Sequence, residues 1–427
     1  MPKRSLHSAG HRIGFVSTRF NSTDGVSLET QKWAHVLERL GQNLYYFAGQ
    51  CDQSEEISFI VPEAHFLHPD VLAISEISYR AITRPPHITS RIHELRSYLK
   101  DRLYEFIKKY DIELLIVENA LSIPMNIPLG LALAELIAET GIPVIGHHHD
   151  FAWERKRFLV NCMGDYLEMA FPPRLPSIHH VVINSLAATE MGKRRGINVR
   201  VIPNVMDFDN PPNPPDEYTA SLRTDLQVDP DEYFFLQPTR PLQRKGIEYA
   251  IELIRRLEEN ARLVISHAGG DEGNEYKEHV RTFAGLLNVR VNFVSEIIGT
   301  KRGTTSDGRK IYTLGDVYPF ADIVTFPSLL EGFGNAFLEA IYYRRPLMIN
   351  NYTIYAIDIK PKGFQAVEFN GFITDETIKH VRKTLKDPKS AEEMTEHNYA
   401  LAKEFYSFAI LERQLQVLLD SCFSHEE

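Results

Sequence analysis

The sequence predicts an α/β protein with two domains, each containing a doubly wound parallel sheet. The chain has 427 residues, which is enough for two or three domains of ordinary size. Short apolar strands alternate with amphipathic helices, and a proline-rich segment interrupts the alternation near the middle. Alternating strands and helices form a parallel sheet covered on both faces. Two such runs, separated by a joint, therefore predict two domains.

The first half of the chain contains the first run of alternation. After the first strand, Trp33, Val36, Leu37 and Leu40 recur at the spacing of one helix face. The predicted strands of this half are short apolar runs with helical or turn segments between them: Arg12–Ser17, Asn43–Gly49, Leu114–Asn119, Pro143–His149, His179–Ser185 and Val199–Asn204.

The joint is the segment Pro211–Pro215, in which four of five residues are proline. Proline excludes this segment from a helix interior and from a central strand. We therefore expect a first domain over 1–208 and a second over 209–400. Apolar residues at helical spacing continue to the end of the chain, so 401–427 is predicted as a C-terminal helix that crosses back to the first domain.

The second half repeats the pattern. Ile247–Leu257 has the apolar spacing of a helix, and Gly299–Lys310 is polar and glycine-rich, as expected for a mobile loop. Ligands of such domains bind at the carboxyl ends of the strands. The predicted strands are Tyr233–Thr239, Leu263–Gly269, Val289–Ser295, Asp322–Ser328 and Pro346–Asn350.

Composition excludes several classes of protein. The formal net charge is −10, which argues against a nucleic-acid partner. Cys51, Cys162 and Cys422 are odd in number and far apart, so we expect no disulfide framework and a reduced cytoplasmic location. The polar N-terminal segment does not resemble a secretory signal. The apolar stretch Ile127–Ala138 is too short to span a bilayer, which leaves only peripheral membrane contact open.

Two glutamates eight positions apart mark the second half. Glu331 lies in a turn after a predicted strand, and Glu339 lies on the following helix, which we expect to begin at about Asn335. A helix N-terminus offers unpaired N–H groups and a positive dipole, which suit a diphosphate. A carboxylate one turn into the helix can accept hydrogen bonds from ribose hydroxyls, and one in the turn can accept them from a hexose.

Two cations mark the loop after the first strand of this half. Arg240 and Lys245 bracket the segment between a strand end and a helix start. A nucleoside diphosphate that leaves during a reaction gains negative charge in the transition state. Cations fixed beside it lower the activation barrier of that reaction by roughly several kcal/mol. Such cations can replace a metal, and no DxD motif follows a strand here. Taken alone, the glutamate pair is a common chance spacing, and the two cations are equally well explained as part of a solvated loop. The order of both pairs along one sheet favours function.

These segments, Pro238–Ile254 and Pro327–Leu347, resemble the C-terminal half of the retaining glycosyltransferases of sequence family four. The resemblance implies the GT-B fold, with two Rossmann-like domains facing an interdomain cleft. It implies that Arg240 and Lys245 hold the donor diphosphate and that Glu331 meets the donor sugar, all three as catalytic residues. The donor-binding residues that it implies in this half are Gly270, Phe333, Gly334, Asn335, Ala336 and, at the ribose, Glu339.

The first half contains matching segments. Gly25 lies in a glycine turn before the first helix, where the resemblance implies contact with the donor phosphate. Three adjacent histidines end a strand, and because side chains alternate along a strand they do not easily ligate one metal. The resemblance makes His149 catalytic and Asp150 donor-binding; the alternative is a structural histidine at a strand end. The basic run Trp153–Arg157 is either an anionic-acceptor site or a solvated helix start.

The resemblance therefore implies an enzyme that moves a hexose, of glucose or mannose type, from a UDP-, GDP- or ADP-sugar to a hydroxyl acceptor with retained configuration. The acceptor is a small solute, a glycan or a lipid headgroup. We expect no metal and no cofactor beyond the nucleoside diphosphate sugar, which is a co-substrate. The alternatives are a disaccharide phosphorylase or synthase of the same fold, a nucleotide-sugar epimerase, and a non-catalytic sugar-nucleotide-binding protein.

Overall fold

The protein divides into two compact units. The computed structural model describes residues 10–20, 25–269 and 275–423. The first unit contains the described residues up to Asn204 together with those from Ala409 onward, and the second contains Val205–Phe408. The division after Asn204 lies close to the predicted boundary after residue 208. The chain thus passes from one unit to the other twice.

The first unit is built on a seven-stranded sheet whose paired strands are all parallel. The strand order is β3-β2-β1-β4-β5-β6-β7, so the direction of winding reverses between β1 and β4. In such sheets, ligands bind beside this point of reversal, at the carboxyl ends of the strands. The strands are β1 (Arg12–Val16), β2 (Asn43–Ala48), β3 (Ser58–Ile60), β4 (Leu114–Glu118), β5 (Val144–His148), β6 (Ile178–Val182) and β7 (Arg200–Val201).

Seven helices lie in the described part of the chain up to Asn204. The first buries Trp33, Val36 and Leu37, as the spacing predicts, but it ends before Leu40. The fourth begins at an Asn126 cap, whose side chain accepts from the Leu129 N–H, and stops at Gly141 with φ +66°. The helices are α1 (Gly25–Arg39), α2 (Pro69–Ser78), α3 (Pro86–Tyr110), α4 (Ile127–Thr140), α5 (Lys156–Leu159), α6 (Gly164–Ala170) and α7 (Ser185–Arg195).

The core of the first unit lies between the sheet and the helices α3 and α4. Phe106 of α3 and Leu133 of α4 are fully buried there against Leu115 of β4. Gly14 of β1 makes room for this packing, because a Cβ at that position would lie 2.6 Å from the Phe106 ring. The apolar strands are therefore fixed in place, and the polar residues that follow them are held at the sheet edge.

The second unit is built on a six-stranded parallel sheet of order β10-β9-β8-β13-β14-β15. Winding reverses between β8 and β13, which makes their carboxyl ends the expected ligand position. A separate antiparallel pair is formed by β11 and β12. The strands are β8 (Tyr233–Gln237), β9 (Ala261–Ile265), β10 (Arg290–Phe293), β11 (Gly303–Thr304), β12 (Lys310–Ile311), β13 (Ile323–Phe326), β14 (Leu347–Asn350) and β15 (Val367–Phe369).

The segment predicted as a mobile loop, Gly299–Lys310, is instead a small hairpin. The Tyr218 hydroxyl donates to the carbonyls of Gly303 and Ile311, at 2.8 and 2.9 Å, and so joins both strands. Arg302 forms ion pairs with two aspartates, Asp216 and Asp316. The polar composition therefore reflects side chains that bind the hairpin to its own unit.

The helices of the second half begin with α8 (Leu222–Asp225), α9 (Ile247–Leu257), α10 (Glu275–Leu286), α11 (Leu314–Val317), α12 (Asn335–Tyr342), α13 (Asp375–Lys386) and α14 (Pro388–Tyr406). The predicted C-terminal helix is two helices, because Ser407 is extended and separates α14 from α15 (Phe408–Phe423). Within the first unit, α15 stacks Phe423 on His11 at 3.8 Å and pairs Glu412 with Arg39 at 3.1 Å. Among the described residues, no helix is both long enough and apolar enough to cross a membrane.

Candidate active site

The loop after β8 brings Lys245 to the carboxyl end of β13. The last turn before α9 ends at Gly246, whose φ is +58°, and a Cβ there would lie 2.7 Å from the carbonyl oxygen of Pro327. Glycine is needed because the backbone of this loop lies directly against the segment that follows β13. Lys245 Nζ donates to Glu331 Oε1. Two of the predicted catalytic side chains, Lys245 and Glu331, are therefore in direct contact.

Arg244 completes this ion cluster and was not predicted. Its Nη1 donates to Glu331 Oε2 at 3.1 Å and to the carbonyl of Leu330 at 3.2 Å. The Glu331 side chain is only 9% exposed. Burial alone would raise the pKa of Glu331, but Lys245 and Arg244 outweigh it and hold that pKa below its usual value. Burial lowers the pKa of Lys245 despite the carboxylate beside it.

Helix α12 begins directly after this cluster, as the sequence predicts. Its cap, Gly334, has φ +111°, and a Cβ would lie 2.8 Å from the Tyr352 hydroxyl. That hydroxyl donates to the carbonyl of Phe333 at 2.6 Å and fixes the turn. Phe333 and Ala336 are buried beside it. Asn335 is the first residue of the helix, and the backbone N–H groups of the first turn of α12 can bind an anion.

Glu339 lies one turn further along α12. Tyr318 donates its hydroxyl to Glu339 Oε2 at 2.7 Å, and its fully buried ring stacks on Tyr343 with the centroids 4.9 Å apart. One carboxylate oxygen of Glu339 is thus fixed by a side chain of its own unit. The sequence does not indicate this contact, which depends on how α12 packs.

Arg240 adds positive charge to the same loop. It lowers the pKa of Lys245, after the larger effect of burial and together with Arg244. The pKa of His267, which follows β9, falls to about 4 because the ring is buried and because Arg240 and Lys245 are close. The carboxyl edge of this sheet therefore concentrates cationic groups, as a diphosphate site requires. The other predicted contact here, Gly270, lies outside the described residues.

In the first unit, β4 and β5 place a carboxylate between two imidazoles. Glu118 is opposite His147 in the register of the two strands. Its carboxylate is fully buried and accepts from His147 Nδ1 at 3.0 Å and from His149 Nε2 at 3.2 Å. Burial alone would raise the pKa of Glu118, but the two histidines lower it to about 2. The pKa of His149 is raised: burial opposes its charge, and Glu118 more than compensates.

His148 points to the opposite face of the sheet, as strand alternation requires. Its Nε2 lies 2.8 Å from His180 Nδ1 of β6, and both rings are buried. Burial lowers the pKa of His180 to about 4. The three adjacent histidines are therefore divided between two separate clusters.

Glu118, His147 and His149 form the one group, within the described ranges, whose ligand atoms lie close enough to hold a metal ion, all within 4.8 Å. Histidines that bind a metal usually donate their second N–H to an acceptor. Here His147 Nε2 is buried with no hydrogen-bond partner in the described chain. Hydrogen bonds account for the short distances, and the absence of a metal from the mechanism remains a prediction.

Asn119 holds the backbone of His149. It has φ +59°, and its Oδ1 accepts from the His149 N–H at 2.8 Å. Its Nδ2 donates to Asp150 at 3.2 Å, and Asp150 also accepts from Arg155 Nε at 2.8 Å. Part of the predicted basic run is therefore neutralised within the unit. Gly25 is the first residue of α1 and is exposed.

The sequence is similar to curated proteins over nearly its whole length. The family model of the glycosyl transferases group 1 matches residues 219–401. A mannosylglucosylglycerate synthase from Thermotoga maritima is 31% identical over 439 aligned positions, which cover 94% of this chain and 98% of that protein. A mannosylglucosylglycerate synthase from Petrotoga mobilis is 32% identical over 377 positions, which cover 83% of this chain and 86% of the relative.

The fold is also similar to a solved structure. The Anabaena protein HepE, crystallised with UDP and glucose, superimposes with a TM-score of 0.65 at 13% identity, covering 96% of this chain and all of that one. The two parallel-sheet units, in their order and composition, are those of the GT-B fold. Together with the full-length relatives, these matches establish that the chain belongs to the glycosyl transferases group 1 family and is a glycosyltransferase.

Proposed function

We propose that this enzyme transfers a mannosyl group from a nucleoside diphosphate mannose to glucosylglycerate, with retained anomeric configuration and without a metal. The observation that supports the chemistry is the buried cluster of Glu331 with Lys245 and Arg244 beside the start of α12. The products named by the two relatives support the substrates, since adding mannose to glucosylglycerate yields mannosylglucosylglycerate. This acceptor is a small, anionic solute with free hydroxyls.

Binding of the donor would change the partners of the cations around Glu331. In the donor-free protein Lys245 neutralises Glu331. When a diphosphate binds, Lys245 and Arg240 turn to the phosphates, and Arg244 remains to compensate Glu331, whose oxygens then accept from hexose hydroxyls. Glu339 accepts from the ribose. Only cations that meet the leaving diphosphate as its charge grows lower the barrier to reaction.

The reaction itself is a single substitution at the anomeric carbon. The bond from this carbon to the phosphate oxygen breaks, and its electron pair leaves with the nucleoside diphosphate. The acceptor hydroxyl oxygen attacks from the same face, and its proton passes to the departing phosphate oxygen. His149 and Asp150 hydrogen-bond the transferred hexose. The products are mannosylglucosylglycerate and the nucleoside diphosphate.

The first experiment incubates the purified enzyme, with a chelator, with glucosylglycerate and the mannose derivative of GDP, UDP or ADP in turn. We expect one donor to give a product whose new linkage keeps the donor's anomeric configuration by NMR. Lys245→Ala and Glu331→Ala should each lower kcat by about 100-fold or more, because Lys245 meets the growing charge of the leaving diphosphate and Glu331 holds the hexose in position.

The matched control is Arg255→Ala, which removes an exposed cation from helix α9 of the same unit and should leave turnover intact. Transfer that needs a divalent ion, or that gives the inverted linkage, would contradict the proposed mechanism. Product formed only with inorganic phosphate present would favour a phosphorylase. Near-wild-type turnover in both Lys245→Ala and Glu331→Ala would contradict the assignment of the site.

A further inference from the structure

Glu118 is a buried carboxylate that no step of the proposed reaction uses. It is the last residue of β4, its exposure is 0%, and it follows four apolar residues of the same strand. An ionised carboxylate without partners in such a position costs several kcal/mol. Its partners are the two imidazoles of β5, His147 and His149. A residue this costly to bury indicates a role beyond packing.

The two histidines differ in what surrounds them. His147 is fully buried and stacks on Trp33 of α1, with ring centroids 4.1 Å apart. The His149 side chain is 9% exposed, and its backbone N–H is fixed by Asn119. Within the described residues, no hydrogen bond reaches His149 Nδ1. In the described chain, the network therefore leaves two ring nitrogens without a partner: His147 Nε2, which belongs to a fully buried ring, and His149 Nδ1, which belongs to the partly exposed ring.

We propose that Glu118 is a positioning residue that acts through His149. Its carboxylate holds the Nε2–H of His149, fixes the ring plane, and leaves Nδ1 as the nitrogen that meets the transferred hexose. This inference rests on the proposed function, in which His149 hydrogen-bonds the donor sugar. His147 is the second support of the carboxylate and is itself held by Trp33.

The charged groups around His149 favour the same arrangement. Glu118 faces it from β4, and Asp150 follows it in the chain. Glu29 faces it from α1, where its own carboxylate pairs with Lys32 at 2.9 Å. His147 lies beside it, with ring centroids 4.3 Å apart. Three carboxylates therefore surround this imidazole, and only Glu118 bonds its Nε2, which is why removing that one carboxylate should release the ring.

The kinetic test compares Glu118→Gln with the wild-type enzyme. Carboxylates that orient metal-bound histidines contribute about 10–100-fold to activity, and we expect a loss of similar size here, mainly in kcat. The effect should disappear in a His149→Ala background, since a residue that acts through another adds nothing once the other is gone. His147→Asn, which keeps a polar atom near the Nδ1 position, should cost much less. An equal loss in His147→Asn, or an additive loss in the double variant, would overturn the proposal.

A second measurement does not depend on turnover, and its first part needs no variant. NMR of the donor-free wild-type protein, labelled with ¹⁵N in histidine, reports which ring nitrogen of His149 carries the proton. We expect a protonated Nε2 across neutral pH, and Glu118→Gln should lower the pKa of His149. An unprotonated Nε2 in the wild type would overturn the role of Glu118. Failure of the enzyme to transfer any hexose, with the expected NMR result, would instead reject only the proposed function.

Discussion

At the scale of single residues, both units bury charge that is compensated before any substrate is present. Glu331 is held by Lys245 and Arg244, and Glu118 by two histidines. A substrate that binds Lys245 must therefore compete with an internal carboxylate. The spare cation, Arg244, allows that exchange without leaving Glu331 uncompensated, which would cost several kcal/mol.

Tyr318→Phe tests whether Glu339 must be held in place. The change removes one hydroxyl that donates to the Glu339 carboxylate at 2.7 Å and keeps the ring. A hydrogen bond to a charged group contributes about 1.5–3 kcal/mol, so the Kd of the matching nucleoside diphosphate should rise by about tenfold or more, with little change in kcat. Titration calorimetry measures this directly.

The control for this prediction is Tyr343→Phe, in which the stacked partner ring loses its hydroxyl while the Tyr318–Glu339 bond remains. An unchanged Kd in Tyr318→Phe would show that the carboxylate keeps its position unaided. An equal rise in both variants would assign the effect to the ring stack instead.

At the scale of elements, the sequence predicts what depends on local pattern and misses what depends on neighbours. Most of the apolar strands and the start of α12 at Asn335 follow from periodicity and turn chemistry. Strand β3 has three residues, too short to leave a pattern, and the break at Ser407 falls inside continuous helical spacing. Lys245 and Glu331 are visible in sequence, whereas Arg244 and Glu118 become site residues only because separate strands and loops bring their partners close.

The pair of His148 and His180 joins β5 to β6 and should make stability depend on pH. The pKa of His180 is about 4 in the folded state and 6.5 when unperturbed. The stabilisation that depends on neutral His180 is therefore fully present above pH 6.5 and is lost as pH falls toward 4. Over this range the imidazole takes up a proton in the unfolded chain but stays neutral in the folded one. The loss amounts to about 3 kcal/mol, measurable by denaturant unfolding at several pH values.

His180→Asn is the variant that isolates this effect. Asparagine places a neutral polar atom near the Nδ1 position, which bonds His148 in the wild type, and it does not titrate. The fall in the free energy of unfolding between pH 6.5 and 4 should become shallower. A variant with the same slope as the wild type would mean that other groups dominate acid destabilisation.

At the scale of the whole molecule, the last helix belongs to the unit in which the chain begins. The described residues from Ala409 onward are part of the first unit, although Val205–Phe408 form the second. Leu411, Leu415 and Leu418 of α15 are almost completely buried. The C-terminal segment is therefore a component of the first unit's core.

Leu415→Ala should accordingly destabilise the protein by about 2–5 kcal/mol, since it leaves a cavity in place of a fully buried side chain. Val417, two positions along the same helix, is 48% exposed, and Val417→Ala should change stability by less than about 1 kcal/mol. Thermal unfolding of both variants measures the loss of stability that each substitution causes. Equal effects would show that α15 is not packed as described.

The first unit is made of two separate stretches of the chain, and this division also affects the order in which the protein can fold on the ribosome. Domains generally fold as units while the chain is made, the N-terminal one first. Here the residues up to Asn204 emerge first, yet their unit lacks α15 until the chain passes Ala409. The second unit is continuous in sequence, so it is the first to have all of its residues. Chain order therefore makes the earlier-synthesised unit the later one to reach its final fold.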